Sequence, residues 1–151
     1  MDNLALNIYH DLFTRLSRGN HRGVFSNAKP LFLLAVIDSI PNIICNNRIE
    51  ITNNNFVELY KLQAKIYNQE RSTPIEKPLY HLQSEEFYSL VWKDNFIPNV
   101  VSSPSAKYLR ENLAYAKLDD DLWELLQVQE NRDSLKQIII NRYIKNNFNL
   151  P

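Results

Sequence analysis

Proline, aromatic and histidine side chains concentrate in the run PLYHLQSEEFYSLVW, which begins at Pro78. Its large apolar and polar residues alternate in the way that is typical of β-strands. The pattern predicts two short strands, Leu79–Leu82 and Phe87–Trp92, joined by a polar turn. One face of this pair would pack against helices, because a two-stranded ribbon is marginal alone. The other face would offer Pro78, either Tyr80 or His81, and an aromatic residue to a ligand.

A second group of residues is basic. Between Asp11 and Asp38 every formally charged residue is a cation: Arg15, Arg18, Arg22 and Lys29, with His21 among them. Such a segment can make several phosphate contacts even in a protein of zero net charge, because docking depends on local charge. A solvated helix end followed by a loop would carry the same residues, so the pattern alone leaves both interpretations open.

The residue types that catalysis requires do not converge in the sequence. His10, His21 and His81 lie far apart and lack the spacing of metal ligands. The chain has only two glycines, which leaves no room for a glycine-rich phosphate loop. Glu85 and Glu86 fit a solvated turn better than an acid–base pair, and no serine lies in a nucleophile elbow. We therefore expect no enzyme activity, no metal and no cofactor.

Composition predicts one domain, residues 1–151. The chain is 44% hydrophobic, which suffices for a sizeable core. Its single cysteine, Cys45, rules out a disulfide scaffold, fits a reducing cytoplasm and is expected in the core. The longest apolar run, Pro30–Ile40, contains Asp38 and is too short to span a membrane. The amino terminus has no signal pattern, so we expect a cytoplasmic protein without a membrane partner.

Helical periodicity organises the rest of the chain. The expected helix starts are marked by Pro30 in a first turn, by Thr52 or Asn53, by Ser103 before Pro104, and by Asp119. The expected helices cover 4–17, 31–40, 52–67, 103–116, a stretch after 119, and 132–146. A short strand or an extended turn is expected at 48–51, and a third short strand at 96–97. The predicted fold class is α+β and mostly helical, with five or so helices around a small two- or three-stranded antiparallel sheet.

Four runs of the sequence together resemble a known family. They are KPLFLLAVIDSI (29–40), NRIEIT (47–52), PLYHLQSEEFYSLVW (78–92) and LRENLAYAKLDDDLWELL (109–126). In this order and at this spacing they look like the amino-terminal domain of a group of HNH-type restriction endonucleases. That domain is similar to the DNA sulfur-binding domain of phosphorothioate-dependent restriction enzymes.

This resemblance implies a helical domain that binds double-stranded DNA and inspects it for a modification. In sulfur-binding members, a shallow apolar cavity around a proline receives the phosphorothioate sulfur, and by motif position that proline is Pro78. The floor would extend to Tyr80 or His81. The basic rim and further DNA contacts would come from Arg18, His21, Arg22, Lys29, Lys107 and Arg110. An apolar wall favours sulfur, which is less hydrated than oxygen, while nearby cations hold the phosphate charge.

The resulting expectation is a DNA-recognition module that senses modified, phosphorothioate-containing duplex DNA for a restriction or defence nuclease. Family members continue into an HNH nuclease, whereas this sequence stops at Pro151 without such a segment. An HNH nuclease domain or subunit is therefore an expected partner rather than part of these residues. The alternative is a protein-interaction adaptor in a defence system, which would use the same aromatic residues to hold a partner.

Overall fold

Helices dominate the chain and two short hairpin-like sheets complete it. The computed structural model describes residues 4–18, 20, 21, 24–68, 73–94, 96, 98 and 104–144, with the backbone alone at 20, 21, 24, 25 and 68. Within these residues the helices are α1 (Leu4–Thr14), α2 (Ala28–Ser39), α3 (Asn54–Asn68), α4 (Glu76–His81), α5 (Ala106–Asn112), α6 (Asp120–Leu125) and α7 (Gln129–Ile139). The strands are β1 (Asn20–His21), β2 (Val24–Phe25), β3 (Tyr88–Trp92) and β4 (Leu113–Leu118). The predicted class, α+β and mostly helical, is confirmed.

Helix α2 is the centre of the core. Ten of its twelve residues are buried, since it is apolar on every side and packs against α3, α4 and α7. The ring of Phe32 packs edge-on against two other rings. Its centroid lies 5.5 Å from that of Phe56 in α3 and 6.1 Å from that of Tyr88 in β3. Pro30 lies in the first turn, as predicted. Backbone N–H groups in that turn have no acceptor within the helix, so the missing N–H of proline costs no hydrogen bond there.

Strands β3 and β4 pair antiparallel, with a register shift between Val91 and Trp92. Ile49 extends this sheet by a single bridge to Ala116 and a turn follows at 51–52, so the segment 48–51 forms no full strand. Asn47 closes the end of β4, since its side chain both donates to the carbonyl of Leu118 and accepts from its N–H. The sheet is thereby fixed against the loop that follows α2.

Two predictions about the sheet were wrong. The segment from Pro78 to Leu82 is helical, in α4 and the 3₁₀ turn Leu82–Ser84, so Tyr88–Trp92 does not pair with it. The partner is β4, which was predicted as the end of a helix. Leu113 and Ala116 have helical spacing, but at Leu113 the backbone turns extended and pairing with β3 prevails over local preference.

The remaining differences are local. Ser105, not Ser103, caps α5 by accepting a hydrogen bond from the N–H of Tyr108, while Ser103 lies outside the described residues. Cys45 is exposed rather than in the core. Phe96 lies outside any strand, and its expected partner in a third strand, Ile97, is not among the described residues. No helix in the described part of the chain is long and apolar enough to cross a membrane.

Candidate functional site

A cavity of about 400 Å³ opens where three segments of the chain meet. The segments are the turn after α1, the entry to α2, and α4 with the residues before it. Its lining consists of Ser17, Arg18, Ser26, Ala28, Lys29, Thr73, Lys77, Pro78 and His81. Four of the predicted site residues, Arg18, Lys29, Pro78 and His81, therefore share one cavity although they come from distant parts of the sequence.

Pro78 and His81 lie one helical turn apart on α4, which brings both side chains to the same side of the helix. Pro78 is buried, and His81 is half-buried with its ring edge-on to that of Tyr80 at 5.1 Å. The hydroxyl of Tyr88 donates to the carbonyl of Leu79 and so fixes α4 to β3. The proline thus forms a rigid apolar part of the wall, although it does so from a helix rather than from the predicted strand.

Burial lowers the pKa of His81, and the positive charges of Lys29 and Lys77 lower it further. The imidazole is therefore neutral at physiological pH. A neutral ring next to Pro78 makes this part of the wall less polar than a charged histidine would.

Arg18 also lines the cavity, from the segment that follows α1. Its guanidinium donates to Oδ1 of Asn27 at 2.9 Å and stacks on the ring of Tyr143 at 4.8 Å. Burial lowers the pKa of Arg18, and the neighbouring Tyr143 opposes this shift. Arginine remains charged despite such shifts, so the group presents a fixed positive charge in a defined orientation.

Tyr143 holds this turn in place from the far end of the chain. It belongs to a π-helical segment, Ile140–Ile144, that extends α7. Its hydroxyl donates to the carbonyl of Phe13 at 2.6 Å and accepts from the N–H of Leu16 at 2.9 Å. The carbonyl of Phe13 lies in the last turn of α1, where carbonyls have no helical partner, and the N–H of Leu16 lies just beyond the helix. Tyr143 completes the hydrogen bonding of both groups.

Lys29 reaches the cavity from the first turn of α2, where two polar side chains hold its ammonium group. Nζ lies 2.6 Å from Oγ of Ser84 and 3.5 Å from Oε2 of Glu85. The same Oε2 accepts the N–H of Ser17 at 2.9 Å. Glu85 is thus part of the cavity's frame and not a solvated turn residue, with a side chain only 11% exposed.

Other predicted site residues lie elsewhere or outside the description. Lys107 and Arg110 are exposed on α5, and Arg110 lines a separate cavity of about 580 Å³ with Glu58 and Lys61. The side chain of His21 and the whole of Arg22 are outside the described residues. Tyr80 contacts His81 but does not line the cavity itself.

Sequence reasoning missed Lys77 and Glu85. Lys77 adjoins Pro78 in the run that was singled out, so extending that run by one residue would have included it. Glu85 gave no such signal, because its partner Ser17 is 68 positions away. No cluster of three or more histidine, cysteine or acidic residues that could hold a metal occurs in the part of the chain that the structure describes.

Comparisons with known proteins bear on the fold alone. No protein-family model matches the chain, and no curated protein matches it significantly. Solved structures do match. The sulfur-binding domain of ScoMcrA complexed with phosphorothioated DNA has a TM-score of 0.68 at 16% identity, over 94% of this chain and 89% of that one.

Two structures with longer chains match in the same way. One is the sulfur-binding and SRA domains of ScoMcrA complexed with phosphorothioated DNA, with a TM-score of 0.68 at 17% identity, over 89% of this chain and 42% of that one. The other is the Type IV phosphorothioation-dependent restriction endonuclease ScoMcrA, with a TM-score of 0.66 at 17% identity, over 89% of this chain and 29% of that one. The part of the chain that these structures match thus shares the fold of the ScoMcrA sulfur-binding domain.

Proposed function

We propose that this chain is a DNA-recognition module that binds duplex DNA and senses phosphorothioate in its backbone. The observation that carries the proposal is the cavity whose lining combines the apolar ring of Pro78, one helical turn from His81, with the cations Arg18 and Lys77. A phosphorothioate needs both, because its sulfur is poorly hydrated while its phosphorus group keeps a negative charge. The likeness to solved sulfur-binding domains supports the same function.

The surroundings of the cavity suit an anionic ligand. Helix α2 begins at Ala28, beside the cavity, and the amino-terminal end of a helix carries a partial positive charge. Arg18 is held in one orientation by Asn27 and Tyr143, so little freedom remains to be lost on binding. His21 and Arg22, which follow Arg18 in the sequence, are proposed to make further phosphate contacts.

Lys107 and Arg110 are proposed to contact the backbone further along the duplex. Both are exposed, and they lie on α5 near the separate cavity that Pro74, Ile75 and Glu76 line. The residues that follow directly, Lys77 and Pro78, line the first cavity, so one short segment borders both. A duplex seated on the first cavity could reach the second basic position without any rearrangement of that segment.

The proposed module acts by recognition, and cleavage would fall to an HNH nuclease domain or subunit. It is further proposed to work in the cytoplasm, where cellular DNA is accessible. Highly purified protein should therefore bind a plasmid without nicking it in the presence of Mg²⁺, Mn²⁺ or Zn²⁺. Nicking that disappears when one residue of this chain is substituted would contradict the division of labour.

The decisive experiment is a comparison of two duplexes of the same sequence, one of which contains a single stereochemically defined phosphorothioate. Fluorescence anisotropy at fixed salt should show about tenfold tighter binding of the sulfur-containing duplex, from about 1–2 kcal/mol of apolar contact. Equal affinity for the two duplexes would refute sulfur recognition. Failure to bind either duplex at low salt would favour the adaptor alternative.

A further inference from the structure

The carboxylate of Glu85 is an unexpected group beside an anion-binding cavity. Its side chain is 11% exposed, and it contacts two residues of the lining, Ser17 and Lys29. A negative charge at this position opposes any phosphate that enters. Glu85 is not itself in the lining and acts through these two contacts, whereas the neighbouring Glu86 is exposed.

The contact with Lys29 accounts for this arrangement. The ammonium group and the carboxylate form an ion pair at 3.5 Å in which both side chains are largely buried, at 14% and 11% exposure. A buried charge pair is held together because each partner would otherwise lie uncompensated away from water. Oγ of Ser84 adds a hydrogen bond at 2.6 Å to the same ammonium group. Much of the positive charge of Lys29 is therefore used inside the protein.

We propose that Glu85 is a specificity-determining residue. Its carboxylate pairs with Lys29, so the ammonium group does not bind a phosphate oxygen in the cavity. The preference between sulfur and oxygen then depends on the contact with Pro78. The inference rests on the proposed function. An ordinary phosphate oxygen is strongly hydrated, so it enters the cavity at a loss unless a cation replaces its water. Sulfur is less hydrated and loses less. Neutralising Lys29 therefore weakens the binding of ordinary DNA more than that of phosphorothioate DNA.

The test is Glu85→Gln, which removes the charge but retains an oxygen that can accept the N–H of Ser17. With Lys29 released, the affinity for the ordinary duplex should rise about tenfold, the value of one additional hydrogen bond from a charged donor. The salt dependence of that affinity should steepen by about one unit of log–log slope. The affinity for the phosphorothioate duplex should rise by a smaller factor, so the preference for sulfur should fall.

Glu86→Gln is the matched control, because it removes the same charge at the next position from an exposed side chain. An equal gain in ordinary-duplex affinity in both variants would show a general effect of net charge and would overturn the proposal. An unchanged or weaker ordinary-duplex affinity in Glu85→Gln would also overturn it.

A second variant keeps the test decisive if Glu85→Gln does not fold. Replacing both partners, Lys29→Gln with Glu85→Gln, leaves net charge unchanged and removes the buried pair. Since the pair contributes no net charge to the cavity, this double variant should bind the ordinary duplex within about threefold of wild type. A tenfold loss with a shallower salt dependence would mean that Lys29 contacts phosphate directly, which refutes the role of Glu85.

The two proposals fail in different ways. Absence of a preference for sulfur in the wild-type protein refutes the proposed function. The ordinary duplex alone decides the role of Glu85, whatever the wild-type preference. If wild type and variants bind neither duplex, both proposals are refuted.

Discussion

The Pro78 wall predicts how much selectivity one side chain contributes. Pro78→Ala keeps Cβ and removes two ring carbons from the cavity wall. Burial of a methylene group contributes about 0.8 kcal/mol, and only part of the ring faces the cavity. We therefore expect the preference for phosphorothioate over ordinary DNA to fall by about 1 kcal/mol, or roughly fivefold. Ordinary-duplex affinity should change little, because no charge is altered.

The backbone should accept this substitution. The carbonyl of Pro78 accepts the N–H of Leu82, and alanine preserves that bond. Competition anisotropy with the two matched duplexes gives the preference directly, and a thermal melt checks the fold. Pro74→Ala is the control, since Pro74 is exposed, lies in the same segment and lines the separate cavity. A Pro78→Ala protein that folds and retains the full preference would refute the assignment of the sulfur wall.

Three further predictions concern charge, pH and stability. Arg18→Gln should make the salt dependence of duplex affinity shallower by about one unit of log–log slope. The ratio of the affinities for the phosphorothioate and ordinary duplexes should change little. An unchanged slope in a salt titration would show that Arg18 does not contact phosphate. Because the pKa of His81 is lowered in the folded protein, the unfolded chain takes up a proton first near pH 6.5, so stability should fall as pH drops below this value. In thermal melts from pH 7.5 to 5, His81→Asn should lose less stability than wild type, and identical losses would contradict the shift. Tyr143→Phe leaves two backbone groups near the end of α1 without their hydrogen-bond partner. The free energy of unfolding in urea titrations should therefore fall by about 2–3 kcal/mol. A change below about 0.5 kcal/mol would show that water replaces the hydroxyl.

Elements with strong local signals were predictable from the sequence. The apolar run of α2 with Pro30 in its first turn gave a core helix close to its observed bounds. The amide of Asn53 accepts the N–H of Phe56 at 3.2 Å, which confirms one of the two residues expected at the start of α3. These features depend on neighbours within four positions, so the sequence reveals them directly.

Elements that depend on distant partners were not predictable. Strand β4 has helical spacing and becomes a strand only because β3 and Ile49 lie on either side of it. The alternation of residues after Pro78 predicted a strand, but so short a pattern is equally compatible with one helical turn, and the structure has the helix. The sequence singled out four residues that line one cavity, Pro78, His81, Arg18 and Lys29, and their role as a site stays a prediction. Glu85 was not singled out, because neither of its partners is close to it in sequence.

The contacts of Tyr143 also determine when the cavity can exist during synthesis. Its hydroxyl binds the backbone of Phe13 and Leu16, which lie 130 and 127 positions earlier in the sequence. Nε of Arg142 donates to the carbonyl of Thr14, 128 positions earlier. Closing so long a loop has a large entropic cost and belongs to a late stage of folding. A nascent chain that lacks the π-helical segment Ile140–Ile144 cannot fix the turn that carries Arg18. We therefore expect the cavity to be complete only after residues 140–144 have left the ribosome.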